Sequence, residues 1–182
     1  MTEALLALLL VAPPPAGTYA VDASRSVVRY TVIHKLHEVD AASREIEGKA
    51  VVRDAATAVA QVRVPVASFR SGDANRDAHM IQAVEVGKFP FVGVKALVQL
   101  ERPGSPPGEP LSAEVEVDFH GVKRRATIPL TVSRLPGGEL RVQGRLDASL
   151  DAHGVERPSL LFVKVDDACR IDFDLVLRGE ER

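Results

Sequence analysis

Tryptophan is absent and aromatic residues make up only 4% of the chain, so a base-stacking platform for single-stranded nucleic acid is not available. An excess of one charge is lacking too. Against 23 Lys and Arg stand 25 Asp and Glu, a net of −2, with no basic stripe to displace counterions from a phosphate backbone. The one cysteine, Cys169, excludes an intrachain disulfide framework and a multi-cysteine zinc site. No apolar run reaches the length of about twenty residues that a bilayer-crossing helix needs; the longest, residues 4–12, is about half that. Nor is there a Gly-x-Ser-x-Gly nucleophile elbow, a Gly-rich loop opening a helix, or an internal repeat. What these absences leave is a near-neutral, soluble domain, and 182 residues suit one domain better than two.

The short apolar run at residues 4–12 fits the core of a secretory signal, with Ala16 and Gly17 as small residues near a cleavage point. Glu3 and the block Pro13, Pro14 and Pro15 depart from that pattern. Residues 1–17 are therefore expected to be a signal peptide or a disordered leading segment, and residues 18–182 the working domain. A signal implies a periplasmic or secreted protein; without one the protein is cytoplasmic.

From Tyr19 onward the dominant period is two. Val28, Tyr30 and Val32 alternate with polar neighbours, as do Val62 and Val64, Val115, Val117 and Phe119, Leu140, Val142, Gly144, Leu146 and Ala148, and Ile171, Phe173, Leu175 and Leu177. With segments at 47–53, 91–100 and 126–132, roughly eight strands result, separated by turn residues at 103–108, at His120-Gly121 and at Pro136-Gly137-Gly138. No βαβ spacing appears, so the sheet is antiparallel. Only residues 73–86 break the alternation. Asp73 or Asn75 can cap a helix there, Ala78, Ile81, Gln82 and Glu85 fall at helical spacing, and Gly87 is the expected stop.

Eight one-faced strands can pack as a filled sandwich, acting as an interaction module, or close into a barrel that removes the exposed edges. At that strand number a barrel interior is either filled or wide enough for one small ligand. The inward set is rich in Val, Ala and Leu and poor in large rings, which favours an open lumen.

Candidate chemistry is sparse. Residues 68–80 concentrate Arg70, Asp73, Asn75, Arg76, Asp77 and His79, but Asp77 and His79 are two apart and do not face each other on a helix. Capping and Arg–carboxylate bonds explain the cluster more simply. The five histidines lack a metal-ligand spacing; His120 and His153 each precede a glycine, where hydrogen bonding in a turn is the expected role. Cys169 sits beside Arg170, which would favour a thiolate, yet a small buried filler is the commoner role. No catalytic residue and no metal site is assigned. The rival enzymatic reading, a small hydrolase or isomerase, rests on a histidine–carboxylate site within the barrel.

Four stretches together resemble the YceI-like family of lipid-binding, lipocalin-like barrels. Tyr19-Ala20-Val21-Asp22 and the strand ending in Ile33-His34 look like the family's opening. Ser68-Phe69 and Arg76-Asp77-Ala78-His79, followed by Lys88-Phe89-Pro90, resemble its Arg-Asp-x-His segment. Phe119-His120-Gly121 looks like its His-Gly strand end, and Gly154-Val155-Glu156-Arg157-Pro158 with Leu160-Leu161-Phe162 like its last loop. The resemblance runs from Tyr19 to Leu177. It implies an extended eight-stranded antiparallel barrel with one short helix, non-enzymatic binding, transport or storage of a polyisoprenoid or other long-chain lipid, export to the periplasm, and a homodimer. It implies no cofactor beyond a bound lipid such as an isoprenoid quinone. From shared parity, Val28, Tyr30, Val32, Val62, Val64, Val117, Phe119, Leu146, Phe173 and Leu175 are expected to line the lumen. Met80, Phe89, Phe91 and Phe162 are expected at its mouth, and Arg76, His79 and His120 beside a polar head group.

Overall fold

The two-residue alternation becomes one curled antiparallel sheet in the computed structural model, which describes residues 14–34, 37–54, 56–100, 109–157, 159–160 and 163–180. In chain order the strands are β1 (Gly17–Val21), β2 (Val27–His34), β3 (His37–Ser43), β4 (Glu47–Val52) and β5 (Thr57–Pro65). The helix α1 (Ala74–Ala83) follows, then β6 (Phe91–Gln99), β7 (Leu111–Phe119), β8 (Val122–Arg134) and β9 (Leu140–Ser149). A small hairpin, β10 (Ser159–Leu160) and β11 (Val163–Lys164), precedes the last long strand β12 (Ala168–Gly179). Residues 1–13 of the expected export segment, the turn at 103–108 and the mouth residue Phe162 lie outside the described residues, while Gly17 at the end of that segment already begins β1.

The circuit runs β1-β4-β5-β6-β7-β8-β9-β12 and closes where β12 pairs back onto β1, Tyr19 opposite Gly179 and Val21 opposite Leu177. That is the expected eight-stranded barrel, but its first two positions are each made of two strands. The same edge of β12 carries β1 and then β2, with Phe173 opposite Val28. Between them the chain steps out through a short turn at Ala23–Arg25, where the Asp22 carboxylate accepts the Ser24 N–H. Fully buried Ser26 repairs the step: its hydroxyl donates to the Asp22 carbonyl at 2.7 Å and accepts the Val176 N–H at 2.9 Å. β3 pairs with β2 and is followed by an interruption at 44–46 before β4. Beside β3, the barrel wall is held by a two-way backbone bridge between Ala42 and Arg70 and by a 2.6 Å hydroxyl pair between Ser43 and Ser68.

Alternation then dictates what faces inward. On β7, Ala113, Val115 and Val117 are buried while Glu114 is exposed. The β7–β8 connection is a two-residue hairpin with positive φ at both positions, 53° at His120 and 73° at Gly121, the geometry whose twist matches flanking strands. Glycine takes this region freely.

α1 starts where Asp73 accepts the N–H groups of Asn75 and Arg76, at 2.9 and 3.0 Å. Its end differs from expectation. Glu85, with φ of 46°, turns the chain out before Gly87 is reached. Its buried stripe also differs: Asp77 and Val84 are buried and Met80 half-buried, whereas Ala78 and Gln82 are exposed. Asp77 turns inward because its carboxylate is wanted by the preceding loop, accepting from the Ser71 N–H at 2.9 Å and the Ser71 hydroxyl at 2.6 Å.

Candidate functional site

The barrel interior is not filled. A cavity of about 1100 Å³ runs along it, slightly above the range of about 300–1,000 Å³ usual for small-molecule sites. Its wall is predominantly apolar, mostly Val, Ala and Leu with a few rings. Val28, Tyr30, Val32, Val62, Val64, Val117, Phe119, Leu146, Phe173 and Leu175 all border it, as the strand parity requires, and Met80 borders it from α1. So do Val92, Val94, Val98, Leu130, Val142, Cys169 and Ile171, which parity also places inside, and Phe69 from the turn after β5.

Two expected mouth residues are elsewhere. Phe91 is 41% exposed on the outer face of β6, with the Arg63 guanidinium 4.9 Å above its ring. The odd-numbered residues of β6 point outward, so Val92 and Val94 take the wall positions instead. Phe89 lies behind the mouth, its ring centroid 4.4 Å from that of His120, and is absent from the cavity wall. It covers Gly121 so closely that a Cβ there would stand 2.7 Å from Phe89 Cε1.

Apart from Lys49 on β4, which pairs with Glu180, the polar side chains on the wall collect at the end crossed by α1. Arg76, His79, Gln82 and Glu85 come from the helix and the turn after it, with His34 and His120 from the strand ends and Glu156 and Arg157 from the loop after β9. Most are already engaged. His120 Nδ1 is 3.1 Å from the His153 carbonyl, which only accepts, so that nitrogen carries the proton; Nε2 is 3.2 Å from Glu85 Oε2. The Glu85 carboxyl is held below its usual range first by its hydrogen bond from Lys88 and further by His120. Arg157 pairs with Asp151 at 2.7 Å and donates to the Val165 carbonyl at 2.8 Å.

The cluster at 68–80 behaves as a structural lock. Asp77 is bound to Ser71, whose hydroxyl is the main reason its carboxyl lies below the usual range, and no contact joins it to His79 among the described residues. The histidine–carboxylate contact that does form, His120 with Glu85, was not anticipated, because a left-handed residue after a helix brings the acid across. Both ring nitrogens of His120 thus stand within 3.2 Å of a protein oxygen. Cys169 faces the lumen and Arg170 the outside, so burial dominates and pushes the thiol up to about 12. Among the described residues no group of three His, Cys, Asp or Glu converges as metal ligands would.

A family model described as the YceI-like domain matches residues 19–177. The chain belongs to the YceI-like family. Solved structures agree on the fold. Burkholderia cenocepacia BcnA superposes with a TM-score of 0.73 at 21% identity, covering 86% of this chain and 98% of its own. A polyisoprenoid binding domain from Saccharophagus degradans, implicated in plant cell wall breakdown, gives 0.68 at 18% identity, covering 89% and 98%. A mutant YCEI protein of Campylobacter jejuni gives 0.58 at 12% identity, covering 82% and 90%. No curated protein sequence matches the chain. Arg76, His79 and His120, from two stretches that mark the YceI-like resemblance, border the same polar end of the lumen. Among the described residues, no helix is long and apolar enough to cross a membrane.

Proposed function

We propose that this YceI-like barrel is a non-enzymatic carrier or store of one long-chain lipid, a polyisoprenoid being the favoured class, and that it works by enclosing the tail in its lumen. The observation that carries the reading is the continuous aliphatic cavity of about 1100 Å³. A five-carbon isoprene unit moved from water into such a wall gains roughly 4 kcal/mol gross, at about 0.8 kcal/mol per carbon, so a few units outweigh the cost of association. The name of the Saccharophagus degradans domain points the same way. The histidine–carboxylate contact that the structure forms, His120 with Glu85, is tied at Nδ1 to the His153 carbonyl and at the carboxylate to Lys88, an arrangement that supports binding more than turnover. Its proposed place of work is the periplasm, on the apolar run at residues 4–12 and the family resemblance.

The test is lipid uptake by delipidated full-length protein, followed by native mass spectrometry with a polyprenol as probe. Phe119→Arg puts a guanidinium into the lumen and is expected to abolish uptake, while Leu97→Arg on the outer face of β6 leaves it intact. Equal uptake by both variants would refute the lumen as the binding site.

A further inference from the structure

Lys49, the one charged wall residue away from α1, is paired with Glu180 at 2.7 Å, so the uncommitted polar groups of the described wall lie at the α1 end and favour one orientation of an enclosed amphiphile. The tail runs toward Val52, Leu140 and Leu177, and the head lies under α1. What the head meets there depends on which polar groups the protein has left uncommitted.

Tyr30 is the inward residue two positions before Val32 on β2, with its ring 5.3 Å from that of Phe69. Its hydroxyl makes no hydrogen bond among the described residues, although it is close enough to Cys169, Asp77 and Arg76 to feel each of them. A phenol is ordinarily paired when it leaves water, so an unpaired one in a cavity wall marks a position for an acceptor supplied from outside. Burial pushes Tyr30 up to about 12, so at neutral pH it offers a proton. The Arg76 guanidinium, on the first turn of α1, likewise makes no hydrogen bond among the described residues; its one ion pair is a 3.9 Å contact with Asp73. His79, one turn further along, also borders the cavity.

The acids nearby are spent. Asp73 caps the helix, Asp77 holds Ser71, and Glu85 holds Lys88 and His120. Glu156 is the remaining acid on the rim and is exposed. Of the rim cations, Arg157 is committed to Asp151. What stays available beneath α1 is a set of donors and one guanidinium.

We infer that the ligand is a single-chain amphiphile with an anionic, acceptor-only head, a carboxylate or a phosphate, seated against Tyr30, Arg76 and His79. This deepens the lipid-binding reading and rests on it. A hydroxyl or quinone head of equal tail length gains less, because a neutral acceptor forms weaker bonds to a guanidinium than an ionised one does.

The experiment compares matched tails on delipidated full-length protein at pH 8: hexadecanoic acid against hexadecan-1-ol, and geranylgeranyl phosphate against geranylgeraniol. The acid and the phosphate are each expected to bind about tenfold tighter than their alcohols. Arg76→Gln and Tyr30→Phe are each expected to reduce that anion-to-alcohol ratio several-fold, a ratio that does not depend on the fraction of protein folded. A preference confined to the phosphate pair, or to the carboxylate pair, supports the inference and names the source of the anion. Equal binding of anion and alcohol overturns it while the lipid-binding reading stands. Absence of binding by all four probes overturns both.

Discussion

The ring of Phe173 occupies the space above Gly144 that a side chain would otherwise fill. The two residues are directly paired across β12 and β9, and a Cβ on Gly144 would stand 2.5 Å from Phe173 Cζ and 3.1 Å from the Pro129 carbonyl oxygen. The absence of a side chain at Gly144 thus gives the Phe173 ring its place against β9. Gly144→Val is expected to push that ring into the cavity and to lower stability by about 1–3 kcal/mol, the usual cost of overpacking. Urea unfolding checks this, and an unchanged midpoint would count against the packing described.

The cap of α1 is worth a direct measurement. Asp73→Ala removes the acceptor for two backbone N–H groups and is expected to cost about 1 kcal/mol. Because α1 forms part of the lumen mouth, hydrogen exchange of amides in residues 74–83 should quicken more than that of β9. Uniform change across the barrel would argue that the helix does not open by itself.

Acid sensitivity follows from Asp77. Its carboxyl lies below the usual range chiefly through the Ser71 hydroxyl bond. A depressed carboxyl contributes stability that is fully present above its unfolded value, about 3.9, and is lost as pH falls through the lower folded value. Asp77→Asn should therefore be less stable than the parent at pH 7, with the gap narrowing below about pH 4. A gap that widens on acidification would contradict the assignment.

Cys169 reports on the lumen. Its thiol is buried and pushed up to about 12, so reaction with a disulfide reagent at pH 8 is expected to be at least a hundredfold slower than for a free thiol, whose pKa is about 8.5. Denaturation should restore an ordinary rate, and a bound lipid should slow the native reaction further. A fast native rate would place the thiol outside the wall.

Much of this barrel was legible in the alternation itself. Val115 and Val117 on β7, Val62 and Val64 on β5 and the Asp73 cap are local patterns, and local patterns are what a sequence displays. β1 and β3 were not legible as strands in their own right. β3 turns small or polar residues inward, Ala41 and Ser43, and its place depends on Ser68 and Arg70 from a later part of the chain. The joint between β1 and β2 rests on Ser26 meeting Val176, a contact 150 residues apart. Phe91 carries the outward parity of β6, and the alternating Val92 and Val94 carry the inward signal. At the mouth, the Glu85–His120 contact depends on a left-handed backbone at Glu85 that its side chain does not announce.

The proposed function requires the lumen to hold a lipid tail. The most direct measurement is native mass spectrometry of the full-length protein purified from its own host, with identification of the lipid in an organic extract. One long-chain lipid per barrel, released on unfolding, is the predicted result. A ligand-free mass, with no uptake of added long-chain lipids, would leave the barrel intact and contradict its proposed function.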